Sequence, residues 1–298
     1  MNTITPLEKA GILVEALPYI RKFRGKTIVI KYGGNAMINE DLKKAVINDV
    51  MLMQLVGMRP VLVHGGGPDI NKLLKRLEIE SEFINGLRVT NEATMEVAEM
   101  VLAGKVNKGI VSYINQAGGC AVGLCGKDAN LLVAHQEKTY ITDEEGNKKL
   151  CDLGYVGEIE EVNTGILNSL LDQGYLPVIA PIAVGKNGES YNVNADLVAG
   201  KIAAALKAEK LMLLTDVEGL YRNYEDKTSL ISLLPTRLVD KLVADGVISG
   251  GMLPKINCCV EAVNQGVGST HILDGRVPHS ILLEIFTREG IGTMVTKS

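Results

Sequence analysis

The sequence has no tryptophan, three phenylalanines, four scattered histidines and five cysteines, an odd number. Neither the histidines nor Cys120, Cys125, Cys151, Cys258 and Cys259 have metal-ligand spacing, so no zinc site is legible. Unpaired thiols suit a reducing compartment, and a cytoplasmic protein is expected. Thirty-one basic residues stand against 35 acidic ones without a basic block, which argues against a nucleic-acid partner. The formal net charge of −4 leaves room for a locally positive pocket that takes a small anion. No run reaches the ~18 apolar residues of a membrane span. The opening "MNTITPLEKAGILVEALPYIRKF" is broken by Glu8 and Glu15 and lacks a small-residue cleavage site, unlike a signal peptide. Neither G-x-x-x-x-G-K-[ST] nor G-x-G-x-x-G occurs, against a P-loop ATPase and a dinucleotide-binding dehydrogenase.

What is present is ample apolar material, 46% of 298 residues, arranged in alternating strand and helix patterns. "TIVIKY" (27–32), "PVLVHGGG" (60–67), "AVGLCG" (121–126), "YLPVIAPI" (175–182), "KLMLLTDV" (210–217) and "THILDG" (270–275) read as strands, with a closing strand near 292–297. Their lack of polar alternation marks strands buried on both faces. Helical patterns separate them at about 40–57, with Asn39 as cap, and from Pro68, 91–117, 164–173, 195–207, 236–245, 254–265 and 279–287. The interval 127–162 is polar and turn-rich, a β-rich insertion with a hairpin tip at "EEGNKK" (144–149). The pattern predicts an α/β fold with a mainly parallel central sheet covered on both faces. At the N-terminus Ile12, Leu13, Ala16, Leu17 and Ile20 mark an amphipathic helix that Pro18 should kink or interrupt.

Ligands of open parallel sheets gather beyond the carboxyl ends of the strands, where "KYGGN", "HGGGPD" and "TDVEG" fall. Glycines there let backbone N–H groups approach a phosphate, and a following helix adds its positive end. Each glycine pair taken alone is equally well a tight turn. Lys31 ends an apolar strand without a solvated face, so its ammonium requires a partner or a bound anion. Lys255, after the glycines of "SGGMLPKI", repeats the theme, although an ordinary exposed helix lysine is the plainer alternative. In "NVNAD", Asn194 or Asp196 serves as a helix cap, or Asn192 donates to a ligand while Asp196 holds two lysines. Arg88 in "NGLRVT" is either a surface arginine or a bidentate grip on a carboxylate.

Taken in order, "KYGGNAM", "VLVHGGGPDI", "NGLRVT", "YNVNAD", "LTDVEGLY" and "SGGMLPKI" closely resemble the amino acid kinase family, from about residue 8 onward. The set is most similar to members that phosphorylate N-acetyl-L-glutamate in arginine biosynthesis. The resemblance implies a three-layer α/β/α sandwich with an amino-acid lobe at 25–188 and an ATP lobe at 189–298. It makes Lys31 and Lys255 the lysines at the transferring phosphoryl group and Asp196 the aspartate that organises them. Gly66, Gly67, Arg88 and Asn192 match the acylated-amino-acid site, Gly33 and Gly34 the donors beside the first lysine, and Asp216 the nucleotide site. ATP and substrate-bound Mg²⁺ are implied, with no protein-held metal. The acceptor, a carboxylate, is already ionised, which fits a site with two lysines and no catalytic histidine.

The stretch "STHILDGRVPHSILLEIFTREGIGTM" resembles the signature of arginine-inhibited members, which implies an L-arginine site at His271, Glu284 and Gly290. The N-terminal segment 1–24 is similar to the extension that interlaces dimers of those members into a homohexamer. A PII-type signalling protein regulates some members, and no feature of this sequence decides for or against such a partner. Aspartokinase and glutamate 5-kinase normally carry further C-terminal domains. Carbamate and uridylate kinases share the glycine turns without "NGLRVT" and this C-terminal stretch. A catalytically silent arginine sensor would have no need of Lys31, Asp196 and Lys255.

Overall fold

The computed structural model describes residues 5–37, 39–84, 86–142, 148–288 and 290–297. Eight strands form the central sheet: β1 Thr27–Tyr32, β2 Arg59–His64, β3 Ala121–Cys125, β4 Leu176–Ala180, β5 Lys210–Thr215, β6 Leu233–Pro235, β7 Ser269–Asp274 and β8 Thr293–Thr296. Their spatial order is β6-β8-β7-β5-β1-β2-β4-β3, and all neighbours are parallel except β7 and β8. Because side chains alternate along a strand, each central strand feeds two cores. Val29, Val61, Val63, Leu211 and Leu213 pack on one face; Ile28, Ile30, Leu62, Met212 and Leu214 pack on the other. That double burial produces the expected three layers, with helices Ala195–Ala205 and Met252–Asn264 on the first face. Helices Glu40–Leu55 and Ser280–Phe286 cover the second.

The expected β-rich insertion is present and recruits later residues. Strands Leu132–Gln136 and Gly157–Val162 join Ile182–Val184 and Ser190–Asn192 in a four-stranded sheet, and Thr139–Thr142 pairs with Lys148–Cys151. Most of the expected hairpin tip falls at 143–147, outside the described residues.

Two helices differ from the periodicity reading. The N-terminal helix runs unbroken from Pro6 to Phe23 through Pro18. Proline removes one backbone donor there, while a Thr5–Glu8 capping box and the packing of Tyr19 on Phe286 and of Phe23 in the core hold both flanks. The single helix expected over 91–117 is three segments: Glu92–Glu99, a π-helical turn Met100–Val106, and Asn107–Gln116. Apolar spacing does not separate i→i+5 from i→i+4 bonding over so few residues. Among the described residues, no helix is long and apolar enough to cross a membrane.

Candidate active site

Strand parity decides where Lys31 points. It shares a face with Val29, the face covered by helix Ala195–Ala205, and its Nζ lies 2.9 Å from Asp196 Oδ1. Asn194 is the helix cap, its Oδ1 accepting from Asp196 N and Leu197 N, so the Asp196 carboxylate is free for other work. Lys255, near the start of the neighbouring helix, donates to Asp196 Oδ2 at 2.7 Å. The three side chains are 12%, 14% and 25% exposed for Lys31, Asp196 and Lys255. Burial acts to raise the Asp196 pKa, but the two ammonium groups outweigh it and hold the carboxyl below its ordinary value. The trio carries a net positive charge and faces a cavity of about 300 Å³.

Two glycines of that cavity sit against its charged side chains. A Cβ on Gly33 would come within 2.6 Å of Lys31 Nζ, and one on Gly34, at φ +65°, within 2.5 Å of Asp216 Oδ1. The alignment of Asp196 with Lys255 depends on a close helix contact: Cys258 Sγ donates to Asp196 O at 3.1 Å, and a Cβ on Gly200 would lie 2.8 Å from that sulfur.

Gly66 and Gly67 line this cavity and a second one of about 170 Å³, which also gathers Arg88 and Asn192. Arg88 is 7% exposed, donates to Ser81 Oγ and stacks 4.5 Å over the Phe83 ring. No carboxylate pairs with it among the described residues, which suits a guanidinium that receives one from a ligand. Beyond Lys255 opens a third cavity of about 590 Å³, walled by Val217, Tyr221, Tyr224, Val247 and Met252. Lys255 thus stands between the smaller, positively charged cavity and a larger, more apolar one. Asp216 lies against Gly34, beside Lys31, while the large cavity begins at Val217. Among the described residues no group of three or more His, Cys, Asp or Glu could hold a metal ion.

At the amino ends of β5 and β7, on the other face, His271 Nδ1 lies 2.8 Å from Glu284 Oε1, and Glu284 Oε2 accepts from Ile291 N at 3.0 Å. Gly290 packs on the same carboxylate, so His271, Glu284 and Gly290 do converge. Lys210, which sequence reasoning missed, completes the group with Nζ 2.8 Å from His271 Nε2 and 5.5 Å from the Phe23 ring. Burial lowers the Lys210 pKa to about 8. Its signal was the same as that of Lys31, a lysine within an otherwise apolar strand. Asp49 was also missed; it is fully buried in helix Glu40–Leu55, bonds His279 Nδ1 at 2.6 Å, and burial raises its pKa to about 6.

The sequence profile of the amino acid kinase family matches residues 26–274. The chain belongs to that family, which makes it a phosphotransferase. Acetylglutamate kinase from Heliobacterium modesticaldum is 62% identical, over 98% of this chain and 99% of its own. Acetylglutamate kinase from Moorella thermoacetica is 59% identical over the same shares. Among solved structures, N-acetylglutamate synthase from Neisseria gonorrhoeae, complexed with coenzyme A and N-acetyl-glutamate, superposes with a TM-score of 0.80 at 28% identity. That match covers 97% of this chain, which spans 63% of the synthase. Carbamate kinase from Giardia lamblia bound to AMP-PNP shares the fold at a TM-score of 0.62 and 17% identity, over 92% of this chain and 99% of its own.

Proposed function

We propose that the enzyme transfers the γ-phosphoryl group of ATP to the side-chain carboxylate of N-acetyl-L-glutamate, giving an acyl phosphate. The observation that carries the reading is the pair of lysines on one half-buried carboxylate, in a cavity that Gly66 and Gly67 share with a second and Lys255 with a third. Arg88 and Asn192, with Gly66 and Gly67, would hold the acylated amino acid; the cavity at Tyr221 and Met252 would take the nucleotide. The N-terminal lobe would then be 25–188 and the nucleotide lobe 189–298.

The chemistry needs no base, because the acceptor is ionised at neutral pH. Its obstacle is the repulsion between two anions, which Lys31 and Lys255 offset while Asp196 holds them in place. The N–H groups of Gly33, Gly34, Gly66 and Gly67 line the region where charge spreads during a loose phosphoryl transfer. Mg²⁺ would enter on the nucleotide's own phosphates.

Feedback by L-arginine is the second half of the reading. Glu284, with His271, Lys210 and the Gly290 turn, offers a carboxylate to a guanidinium beside the N-terminal helix. The Neisseria gonorrhoeae synthase, 27% identical, has also been solved with L-arginine. The reading extends to a homohexamer in the cytoplasm, a trimer of dimers joined through 1–24; exposed Leu7, Leu13 and Val14 on helix Pro6–Phe23 offer an apolar surface that such a contact would cover. A coupled ATPase assay with N-acetyl-L-glutamate, glutamate and carbamate, each with and without arginine, tests all of this. Selective turnover of the acetylated substrate supports the reading; preference for carbamate or free glutamate, or no turnover, removes it.

A further inference from the structure

Gly66 and Gly67 head helix Gly67–Arg76, and neither backbone N–H finds an acceptor among the described residues. What aims the first of them is legible in the residues below. Gly65 N–H donates to Tyr32 O at 2.8 Å, extending the ladder between β1 and β2. The Gly65 carbonyl turns into the core, where His64 Nδ1 lies 2.7 Å away. A carbonyl oxygen only accepts, so Nδ1 carries the proton. Nε2 lies 3.1 Å from Asn107 Nδ2, a donor that also serves Val178 O at 2.9 Å, so Nε2 is bare and the ring neutral. Lys108 Nζ bonds Asn107 Oδ1 at 3.0 Å and Gly123 O at 2.9 Å, which fixes the amide's orientation. His64 and Asn107 are both fully buried, and burial lowers the ring's pKa to about 4, so it stays neutral across the working range.

The peptide between Gly65 and Gly66 is trans and planar, so its N–H points opposite to its C=O. With the carbonyl pinned inward on His64, the Gly66 N–H is directed outward, to the wall shared by the two smaller cavities. A Gly–Gly peptide left alone rotates readily and would as easily present its carbonyl to an incoming anion. The π-helical turn contributes from the other side: Leu102 and Val106 close on Gly66 while the next residue, Asn107, reaches His64.

We propose that His64, held as the Nδ1–H tautomer by Asn107, is a positioning residue that aims the Gly66 N–H at the charge developing on the transferring phosphoryl group. The proposal rests on the phosphotransfer reading above, and wild-type turnover of N-acetyl-L-glutamate with ATP is its control: without that turnover both fall together. With it, two variants decide. In His64→Asn the amide replaces Nδ1; in His64→Gln it sits nearer Nε2 and leaves the Gly65 carbonyl without a donor. Loss of one preorganised donor lowers kcat by about 10²–10³-fold, so a misdirected one should cost His64→Gln roughly tenfold to a hundredfold in kcat. KM for both substrates should change little, and His64→Asn should stay within roughly threefold of wild type at a similar melting temperature. Equal kcat in the two variants, or losses that track melting temperature and appear mainly in KM, would overturn the proposal. Nitrogen-15 spectra of the wild-type imidazoles give an independent reading: the Nδ1–H form of His64 supports it, the Nε2–H form sinks it.

Discussion

The two ends of the central sheet use the same inventory, one carboxylate and two basic side chains, with opposite results. At the carboxyl end, Lys31 and Lys255 are both partly open to a cavity, and Asp196 balances only half of their charge. At the amino end, Glu284 is met by a buried His271, whose pKa burial lowers, and Lys210, lowered to about 8, stands behind that ring on its Nε2. The first trio has one more basic side chain than acidic, as a site for two anions requires. The second is near neutral, and a modest change in its surroundings alters its protonation. What separates them is burial rather than residue type: Phe23 and helix Ser280–Phe286 cover one end, and glycines leave the other open.

The comparison can be broken at either end. The largest effect is expected for Lys31→Ala, which removes the whole of the surplus charge; kcat should fall about 10³-fold while KM for both substrates moves a few-fold, and near-normal kcat would refute the assignment. Gly33→Ala puts a methyl group within 2.6 Å of Lys31 Nζ, and steady-state kinetics should record a loss of about 10²-fold in kcat. Deleting residues 1–20 should leave kcat nearly intact, reduce the sedimenting species from a hexamer to a dimer, and raise the arginine concentration for half-inhibition by roughly tenfold or more. A truncated protein that remains hexameric and arginine-sensitive would disconnect the helix from the amino-end cluster. Gly290→Ala is the counterpart of Gly33→Ala: its Cβ meets Glu284 Oε2 at 2.6 Å from a φ of +62°, so arginine titrations should weaken several-fold with kcat unchanged.

The smallest effect concerns pH. Lys210 titrates near pH 8 when folded and near its ordinary 10.5 when unfolded. Between those values the unfolded chain binds more protons, so this residue's contribution to stability rises with pH. Below pH 8 the folded wild type bears the whole cost of a buried ammonium, at most about 3 kcal/mol. Lys210→Met should therefore gain in melting temperature relative to wild type at pH 7, and the gain should shrink toward pH 10. A difference constant from pH 7 to 10 would place the lysine's charge outside the energetics.

Much of the central sheet was legible because most of its strands are unbroken apolar runs, several of them running into glycine. β6 was not, being three residues at an edge with a proline at its end. The two-residue strands Phe83–Ile84 and Leu87–Arg88, which carry Arg88 into the second cavity, are too short for any periodicity. The glycine turns, Lys31, Asp196 and Lys255 were legible through their order along the chain, and Asn192 and Arg88 through their motifs. His64 and Asn107 were not, since a histidine before glycines and an asparagine within a helix acquire meaning only when a fold brings them together. Lys210 could have been found with the criterion applied to Lys31, by asking what pairs with a charge in a strand buried on both faces.

The contact between Gly200 and Cys258 works as a spacer gauge. One helix carries the aspartate and the other the second lysine, and their separation is set where a glycine faces a sulfur, away from any reacting atom. A chain evolving under selection for turnover would therefore be constrained at two small, buried residues that touch neither substrate. Drift at that pair, by a single methyl group, would register as a change of rate before it registered as a loss of fold.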